Sequence, residues 1–439
     1  MENRLDTKYE NRRYVVCGSV ILLALLFIVR LFYLQILDSD YRAKADSNAF
    51  LKRTIYPSRG ILYDRNGKLL VYNQPAYDIM LIMREIHPFD TLDFCRIIGI
   101  DKENFVKRIA DIKNRRLNPG YSSYTPQVFM TQLSAQECGV LQEKLYKFPG
   151  FYIQNRTIRE YVYPNAALLL GNVGEVNKRD IENDNYYTVG DNSGRTGVEN
   201  SYEKVLRGEK GVEILLRDAH GRIKGRYKDG AYDVPPISGK NLKMSIDIDL
   251  QAYGEKLMKN KLGGIVMIEP ETGEILCMVS SPTYDPSLLV GRIRGKNYME
   301  LQKNPYKPLF NRSIMAQYPP GSTFKPTQGL IFLQEGVINA ETRFTCAHGY
   351  TYRGGKPACH GHPSPLPLVG ALATSCNSFF PWGLHYMLDD RSRYPSVQQA
   401  FDVWKDYMVS MGYGYRLGVD LPGEKRGYIP NSKTYDNIY

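Results

Sequence analysis

An apolar run near the N-terminus constrains the fold of this chain more than any other feature of its sequence. The run extends from Tyr14 to Leu37, and Arg30 and Gln35 are its only strongly polar residues. A bilayer offers no hydrogen-bond partner to the backbone, so a single segment crosses it as a helix. A helix over residues 14–37 would be about 36 Å long, which is enough to span the hydrocarbon layer. The sequence therefore predicts a transmembrane helix there, with Arg30 and Gln35 near its far interface.

The flanks of this run predict how it is oriented. Lys8, Arg12 and Arg13 precede it, which favours a cytoplasmic tail at 1–13, a single pass through the cell inner (cytoplasmic) membrane and an extracytoplasmic or periplasmic bulk of the chain. A cleaved signal peptide is the alternative. No pair of small residues follows the apolar core, and bulky residues lead directly into Asp38, so we expect an uncleaved anchor. The net charge of +11 suits a neighbour of anionic lipid or of an acidic polymer.

A second feature, between Tyr318 and Pro326, carries chemistry. The stretch is Tyr-Pro-Pro-Gly-Ser-Thr-Phe-Lys-Pro, and its prolines and glycine allow a helix to begin here. Ser322 and Lys325 are three residues apart and would share one helix face. A lysine with a lowered pKa can take the proton of the serine, and N–H groups of the first turn can stabilise an oxyanion. The alternative is a helix-terminal serine beside an exposed lysine.

Further motifs accompany this pair of residues. Ser375-Cys376-Asn377 follows downstream, and Ser-x-x-Lys with a Ser-x-Asn element is typical of penicillin-binding proteins and class A β-lactamases. The segments 57–67, 159–164 and 194–202 resemble pedestal signatures of class B penicillin-binding proteins. The chain as a whole resembles an elongation-type class B penicillin-binding protein, a monofunctional peptidoglycan D,D-transpeptidase. Helix capping is the alternative role for Ser375 and Asn377.

The resemblance implies an α+β multidomain fold that follows the N-terminal transmembrane helix. Residues 38–236 would form a mixed pedestal domain of the dimerisation type, with a head inserted at about 76–155. Residues 239–439 would form a penicillin-binding (transpeptidase) domain, an antiparallel sheet with helices. The pedestal would be fixed to its neighbours by a charge network of Arg59, Asp64 and Arg65.

The resemblance also implies the reaction. Ser322 would attack the carbonyl between the two terminal D-alanines of a peptidoglycan stem peptide, with Lys325 as the general base. Ser375 would relay a proton to the departing D-alanine, and Asn377 would hold the substrate amide or the lysine amine. No cofactor is implied for the chemistry. The expected partners are stem peptides, β-lactam antibiotics, the membrane and a multi-pass cell-wall glycosyltransferase, and no nucleic acid.

Two other functions remain open, a non-catalytic scaffold or activator of a cell-wall polymerase and a β-lactam sensor or β-lactamase. The large pedestal and the lack of an evident deacylating carboxylate argue against hydrolysis of the drug. A third family element, Lys-Thr-Gly or Lys-Ser-Gly, does not occur, and Lys433-Thr434-Tyr435 lacks the glycine. In the family this element binds the substrate carboxylate and supplies half of the oxyanion hole. We therefore expect the transpeptidase domain to be C-terminally incomplete. An incomplete domain favours the non-catalytic scaffold as the function of this stretch of chain.

Cysteine and histidine residues cluster around the second motif. Cys346, Cys359, His362 and Cys376 fall close together in the sequence, and thiolates with imidazoles at such spacing suit tetrahedral zinc. We predict these four as ligands of a structural zinc, with His360 in reserve because neighbouring side chains diverge in an extended segment. Some elongation-type relatives resemble this arrangement, with a four-ligand zinc in the same region. A Cys346–Cys359 disulfide and a buried free thiol at Cys376 are the alternatives.

Overall fold

The computed structural model of the protein describes residues 3–32, 50–114, 121–123, 125–133, 135–188, 190–217, 223–291 and 293–436. Its β-strands are Phe50–Ile55, Leu62–Tyr63, Leu69–Leu81, Gln127–Leu133, Phe151–Tyr161, Val173–Glu175, Asn192–Gly194, Gly211–Arg217, Ile223–Arg226, Leu242–Lys243, Gly263–Ile268 and Ile275–Ser281. Its α-helices are Asn3–Phe32, Thr91–Ile98, Lys102–Lys113, Ala135–Lys144, Ala167–Leu170, Lys178–Asn183, Gly197–Ser201, Glu203–Leu206, Ile248–Leu257, Arg294–Lys303, Arg312–Met315, Lys325–Gln334, Leu368–Ala373, Phe379–Asp389, Val397–Ser410 and Ser432–Asp436. The mixture of helices and strands confirms the predicted α+β class.

The N-terminal helix Asn3–Phe32 is the one helix among the described residues that is long and apolar enough to cross a membrane. Its apolar part, Tyr14–Phe32, has a mean hydropathy of 2.7 and is not buried against the rest of the described chain. The helix already begins at Asn3, so most of the predicted tail at 1–13 is continuous with the span. The predicted continuation of the span over residues 33–37 lies outside the described residues.

A mixed five-stranded sheet forms the centre of the pedestal. Leu69–Leu81 pairs antiparallel with Phe151–Tyr161 along the whole of the latter strand, and it also pairs with Gln127–Leu133 and with Leu62–Tyr63. Leu242–Lys243 adds to the sheet in parallel with Leu62–Tyr63. Because this last strand comes just before the C-terminal half of the chain, the pairing ties that half to the pedestal.

In the sequence, the predicted head comes between the two long strands of the pedestal sheet. The helices Thr91–Ile98 and Lys102–Lys113 begin at Asp90 and Asp101, whose carboxylates accept hydrogen bonds from first-turn N–H groups. A core of phenylalanine rings joins these helices to the strands, with ring centroids 4.5–6.3 Å apart. Its members are Phe89, Phe94, Phe105, Phe129, Phe148 and Phe151. The long strands extend into both ends of the predicted insertion at about 76–155, so the elements between these strands lie within 82–150.

The charge network of the pedestal is centred on Glu199, which is fully buried. Arg59 Nε donates to one oxygen of Glu199 at 2.6 Å, and Arg159 Nη2 lies 2.7 Å from the other. Arg59 also binds the carboxylate of Glu203. Two guanidinium groups therefore share one desolvated carboxylate. A loss of that charge would leave Arg159 buried without its carboxylate partner and Arg59 with Glu203 alone.

The other two predicted members of the network have different roles. Asp64 Oδ1 accepts hydrogen bonds from the backbone N–H groups of Asn66 and Lys68, both at 2.8 Å, and so fixes the turn between two strands. Arg65 instead pairs with Glu274 at 3.5 Å, in a position open to solvent. The prediction of one network of Arg59, Asp64 and Arg65 is therefore wrong, because the short Asp64 side chain is used by the turn that follows it.

The C-terminal half combines a two-stranded antiparallel sheet with helices. Gly263–Ile268 pairs with Ile275–Ser281, and Gln251 of the adjoining helix exchanges two hydrogen bonds with the backbone of Met278. The helices pack around a second core that contains Ile331, Phe332, Leu368, Cys376, Phe379, Phe380, Met387, Trp404 and Met408. A Cβ at Gly383 would lie 2.5 Å from the Phe332 ring, so this glycine allows two helices to approach closely.

We expect Glu199→Gln to lower the free energy of unfolding of the pedestal by about 3–5 kcal/mol, because the buried guanidinium of Arg159 loses its counter-charge and that of Arg59 keeps only Glu203. Denaturant unfolding followed by circular dichroism measures the change. Glu182→Gln is the matched control, since Glu182 forms an exposed pair with Lys178 and should cost about 1 kcal/mol or less. Equal effects of the two substitutions would contradict the account of the network.

Candidate active site

Ser322 lies in a turn at the start of a helix. Residues Gly321–Phe324 form one turn of 3-10 helix, and the α-helix Lys325–Gln334 follows without a break. Gly321 has φ of +62°, a conformation that favours glycine, and Pro326 lies in the first turn of the α-helix, where its missing N–H costs little. The prediction of a helix start at this motif is confirmed. Ser322 is exposed, while Lys325 is half-buried.

Ser375 is held in an unusual backbone conformation. It follows the helix Leu368–Ala373 and has φ of +52°, which costs a residue with a side chain about 1 kcal/mol or more. The backbone N–H of Ser375 donates to Leu372 O at 3.1 Å, and that of Cys376 donates to Ala371 O at 2.8 Å. Cys376 is 2% exposed, so the residue after Ser375 is fixed in the core and the serine hydroxyl is directed outward.

The two motifs meet through hydrogen bonds of Lys325. Its Nζ donates to the carbonyl oxygen of Ser375 at 2.6 Å, to Ser375 Oγ at 2.9 Å and to Asn377 Oδ1 at 2.7 Å. Ser375 Oγ in turn donates to Ser322 Oγ at 2.8 Å. All four predicted residues are thus brought together. The hydroxyl of Ser375 lies between the serine and the lysine, where the sequence predicted direct contact of Ser322 with Lys325.

Asn377 is fixed at both ends of its amide. Besides accepting from Lys325, it donates from Nδ2 to Ala358 O at 2.8 Å. The sequence left two contacts open for Asn377, with the substrate amide or with the lysine amine. The structure contains the contact with the lysine amine. The sequence could not predict the contact with the Ala358 carbonyl, because any residue can supply a backbone acceptor. The side chains of Ser375 and Asn377 meet Lys325 rather than a helix end.

The surroundings of Lys325 lower its pKa. Burial lowers the pKa of Lys325, and the nearby Cys376 and Cys359 raise it by less. The Phe380 ring centroid lies 5.8 Å from Nζ and covers one side of the amine. A lysine with a lowered pKa is more often a neutral amine, whose lone pair can accept a proton.

A cluster of sulfur and nitrogen atoms lies directly behind the second motif. The ligand atoms of Cys346, Cys359, His362 and Cys376 all lie within 4.8 Å of one another. These are the four residues predicted as ligands, and His360, the reserve, is not in the cluster. All four could hold a metal ion. The cysteines are free thiols, so the alternative of a Cys346–Cys359 disulfide is not what this structure contains.

Hydrogen bonds around the cluster suit a metal site. His362 Nδ1 lies 2.7 Å from Pro363 O and donates to it, which leaves Nε2, 3.2 Å from Cys359 Sγ, as the ligand atom. The backbone N–H of Asn377 donates to Cys359 Sγ at 3.3 Å. Burial raises the pKa of Cys359, but the Asn377 N–H and His362 outweigh it, so the net pKa of this thiol is lowered. Burial also raises the pKa of Cys346, to about 11.

Two protein families match this chain. Residues 54–244 match the family described as Penicillin-binding Protein dimerisation domain. Residues 263–438 match the family described as Penicillin binding protein transpeptidase domain. The first region contains the pedestal and head, and the second contains both motifs and the cluster.

Curated relatives share the name peptidoglycan D,D-transpeptidase MrdA. The protein from Salmonella typhimurium is 32% identical, over 98% of this chain and 68% of the relative. The proteins from Acinetobacter baumannii and Escherichia coli K12 are 31% and 30% identical, each over 96% of this chain. The chain spans 61% and 65% of the length of these last two relatives.

Solved structures resemble the whole arrangement. A complex of penicillin-binding protein PBP2 with MreC from Helicobacter pylori has a TM-score of 0.69 and 26% identity, over 88% of this chain and 70% of that one. PBP2 from the same organism alone has a TM-score of 0.63 at 24% identity, over 89% of this chain and 71% of that one, and so shows the fold. The chain belongs to the penicillin-binding proteins, in the family that includes the peptidoglycan D,D-transpeptidase MrdA.

Proposed function

We propose that this chain carries the acylation site of a peptidoglycan D,D-transpeptidase that cross-links stem peptides during cell-wall elongation. The observation that carries the proposal is the hydrogen-bonded series from Ser322 through Ser375 to Lys325. A hydroxyl becomes a nucleophile when a neighbour removes its proton, and the half-buried lysine at the end of this series can receive it. The likeness to MrdA proteins gives the substrate class.

The reaction would proceed in two balanced transfers. Ser322 Oγ attacks the carbonyl between the two terminal D-alanines, and its proton passes to Ser375 Oγ while the Ser375 proton moves to Lys325 Nζ. The returning proton goes to the nitrogen of the departing D-alanine, which leaves an ester on Ser322. An amine from a neighbouring stem then attacks the ester, forms the cross-link and restores the serine hydroxyl. A β-lactam, whose ring carbonyl resembles this amide, would acylate the same oxygen.

The apolar N-terminal helix and the relatives support a proposal for the location and partners of the protein. The basic residues before Tyr14 favour a cytoplasmic N-terminus in the inner membrane, so the site would face the peptidoglycan. The two matched domains are a dimerisation domain and a transpeptidase domain. Because polymerisation of glycan strands belongs to neither, we propose a multi-pass membrane glycosyltransferase as the partner that performs it.

We further propose that the cluster behind the second motif holds a structural zinc. Three thiolates and an imidazole fill a tetrahedral site, so no position would remain for a catalytic water. Cys376 lies between Ser375 and Asn377, so metal binding would fix the position of both side chains. The ion would supply rigidity to the site and take no part in the acyl transfer.

We expect benzylpenicillin to acylate this protein at Ser322, because the β-lactam carbonyl is attacked by the activated hydroxyl. Intact-mass measurement followed by peptide mapping detects one adduct. Ser322→Ala should lower the rate by at least about a thousandfold. Ser287→Ala is the matched control, because Ser287 is also exposed and lies outside the site.

Two outcomes would reject this assignment. One is an Ser322→Ala protein that takes up the drug as fast as the parent. The other is a folded parent protein that forms no adduct while it still binds a membrane glycosyltransferase, which would favour the scaffold function.

Purified protein should contain about one equivalent of zinc, because four ligand atoms are already assembled. Cys346→Ser should lose most of the metal, measured by elemental analysis. The control is Cys17→Ser, since Cys17 is a free, exposed thiol of the membrane helix. Less than about a tenth of an equivalent in the parent, together with a Cys346–Cys359 disulfide in peptide maps, would rule the zinc site out.

A further inference from the structure

A strip of aromatic rings beside the candidate active site takes no part in the proposed chemistry. The aromatic strip consists of Phe344, Tyr350, Tyr352, Trp382, His385 and Tyr386. The centroids of its neighbouring rings lie 4.5–6.4 Å apart. Tyr352 and Tyr386 are 66% and 51% exposed, so large aromatic faces are in contact with water. Exposed apolar patches of this kind often mark a binding surface.

Hydrogen bonds hold the middle of the strip in place. The hydroxyl of Tyr350 lies 2.8 Å from His385 Nδ1, and His385 Nε2 lies 3.0 Å from a carboxylate oxygen of Asp389. The rings are therefore fixed before any ligand arrives, which lowers the entropy cost of binding.

An open cleft adjoins one end of the strip. Its volume is about 430 Å³, within the range of small-ligand sites. Phe344 and Tyr386 form one part of its lining, with ring centroids 5.4 Å apart and planes at 13°. Asp389 and Asp390 contribute carboxylates to the same cleft. The cleft therefore places flat aromatic rings beside carboxylates that can accept hydrogen bonds.

This combination of surfaces matches the chemistry of a sugar chain. A pyranose ring has an apolar C–H face that can pack on an aromatic ring, and hydroxyl and amide groups around its rim. Tyrosine and tryptophan offer an apolar body with a polar edge, and the carboxylates can accept hydrogen bonds from the rim. His385 and Arg393 already pair with these carboxylates. The remaining lone pairs of the carboxylate oxygens can accept hydrogen bonds from the hydroxyl and amide groups of a sugar, donors that an apolar helix of a protein partner does not offer.

The distance from the nucleophile fits the same ligand. The helix Phe379–Asp389 begins just after Asn377 and carries Trp382, His385 and Tyr386 away from the site. From Phe379 to Tyr386 it rises roughly 10 Å. The four residues of an extended stem pentapeptide that precede the attacked bond span roughly 13 Å. A stem whose attacked carbonyl reaches Ser322 therefore has its sugar attachment point at about the distance of the far end of the aromatic strip.

We propose that the aromatic strip and its cleft bind the glycan of peptidoglycan, a chain of N-acetylated amino sugars. The proposal rests on the proposed function, because it assigns a second part of the same substrate to this chain. Stacking on Tyr352 and Trp382 supplies the affinity, and the cleft beside Tyr386 receives one sugar. The site would align the stem peptide with Ser322 before acylation.

Titration of the full chain with a tetramer of N-acetylglucosamine tests the proposal, in a detergent that has no sugar headgroup. Isothermal calorimetry should give a dissociation constant of about 1 mM or below. Tyr352→Ala should weaken binding tenfold or more. Tyr146→Ala, which removes a tyrosine of the head that is 80% exposed, should change the affinity less than twofold.

Tryptophan fluorescence locates the bound sugar. The chain has two tryptophans, and Trp404 is buried in the helical core, so a saturable change of emission reports Trp382. The change should disappear in Trp382→Phe. Benzylpenicillin acylation of Tyr352→Ala should match the parent protein, which shows that the variant is folded and that its acylation site is intact.

The absence of saturable heat and fluorescence change up to about 10 mM sugar would overturn the proposal. Binding that is unchanged in both Tyr352→Ala and Trp382→Phe would also overturn it. Failure of the proposed function has a different signature, since a parent protein that binds the sugar and forms no penicillin adduct would reject the transpeptidase and leave the sugar site standing.

Discussion

The ammonium group of Lys325 connects the two halves of the candidate site. A charged lysine has three N–H donors, and here the three acceptors are the carbonyl and hydroxyl oxygens of Ser375 and the amide oxygen of Asn377. These contacts join a helix start to a turn fifty residues further along the chain. Loss of one proton leaves a lone pair, and the Ser375 hydroxyl is the neighbour placed to donate to it. The same contacts therefore set both the geometry of the resting site and its route for proton transfer.

That geometry requires support from residues that do no chemistry. Ser375 has a positive φ, which is unfavourable for a residue with a side chain. Cys376 anchors the turn from the inside, both through the helical core and through the cluster with Cys346, Cys359 and His362. Cys376 faces the cluster, while the side chains of its two neighbours contact Lys325. The strain at Ser375 is thus offset by burial of the next side chain.

The sequence predicted what depends on short-range spacing and on the chemistry of side chains. The interval between Ser322 and Lys325, together with the helix-starting residues around them, predicted the turn that carries the nucleophile. The choice of His362 over His360 followed from the divergence of adjacent side chains. Contacts that depend on tertiary packing could not be predicted, and the insertion of the Ser375 hydroxyl between Ser322 and Lys325 is one of them.

Ion pairing in the pedestal illustrates the same limit. Glu199 is distant in sequence from Arg59 and Arg159. The spacing of these residues does not predict that both arginines pair with the one carboxylate. Asp64 was expected to pair with an arginine, but a short acidic side chain before a turn is more readily satisfied by the backbone N–H groups that follow it. The long-range network is therefore a property of the fold rather than of any local motif.

A double-mutant cycle on the rate of penicillin acylation tests most directly whether Ser375 and Lys325 act as one proton relay. The rates of Ser375→Ala, Lys325→Ala and the double variant are compared with the parent. A relay predicts that the double variant is about as slow as the slower single variant, because either substitution interrupts the same path. Effects that multiply in the double variant would show independent roles and contradict the account.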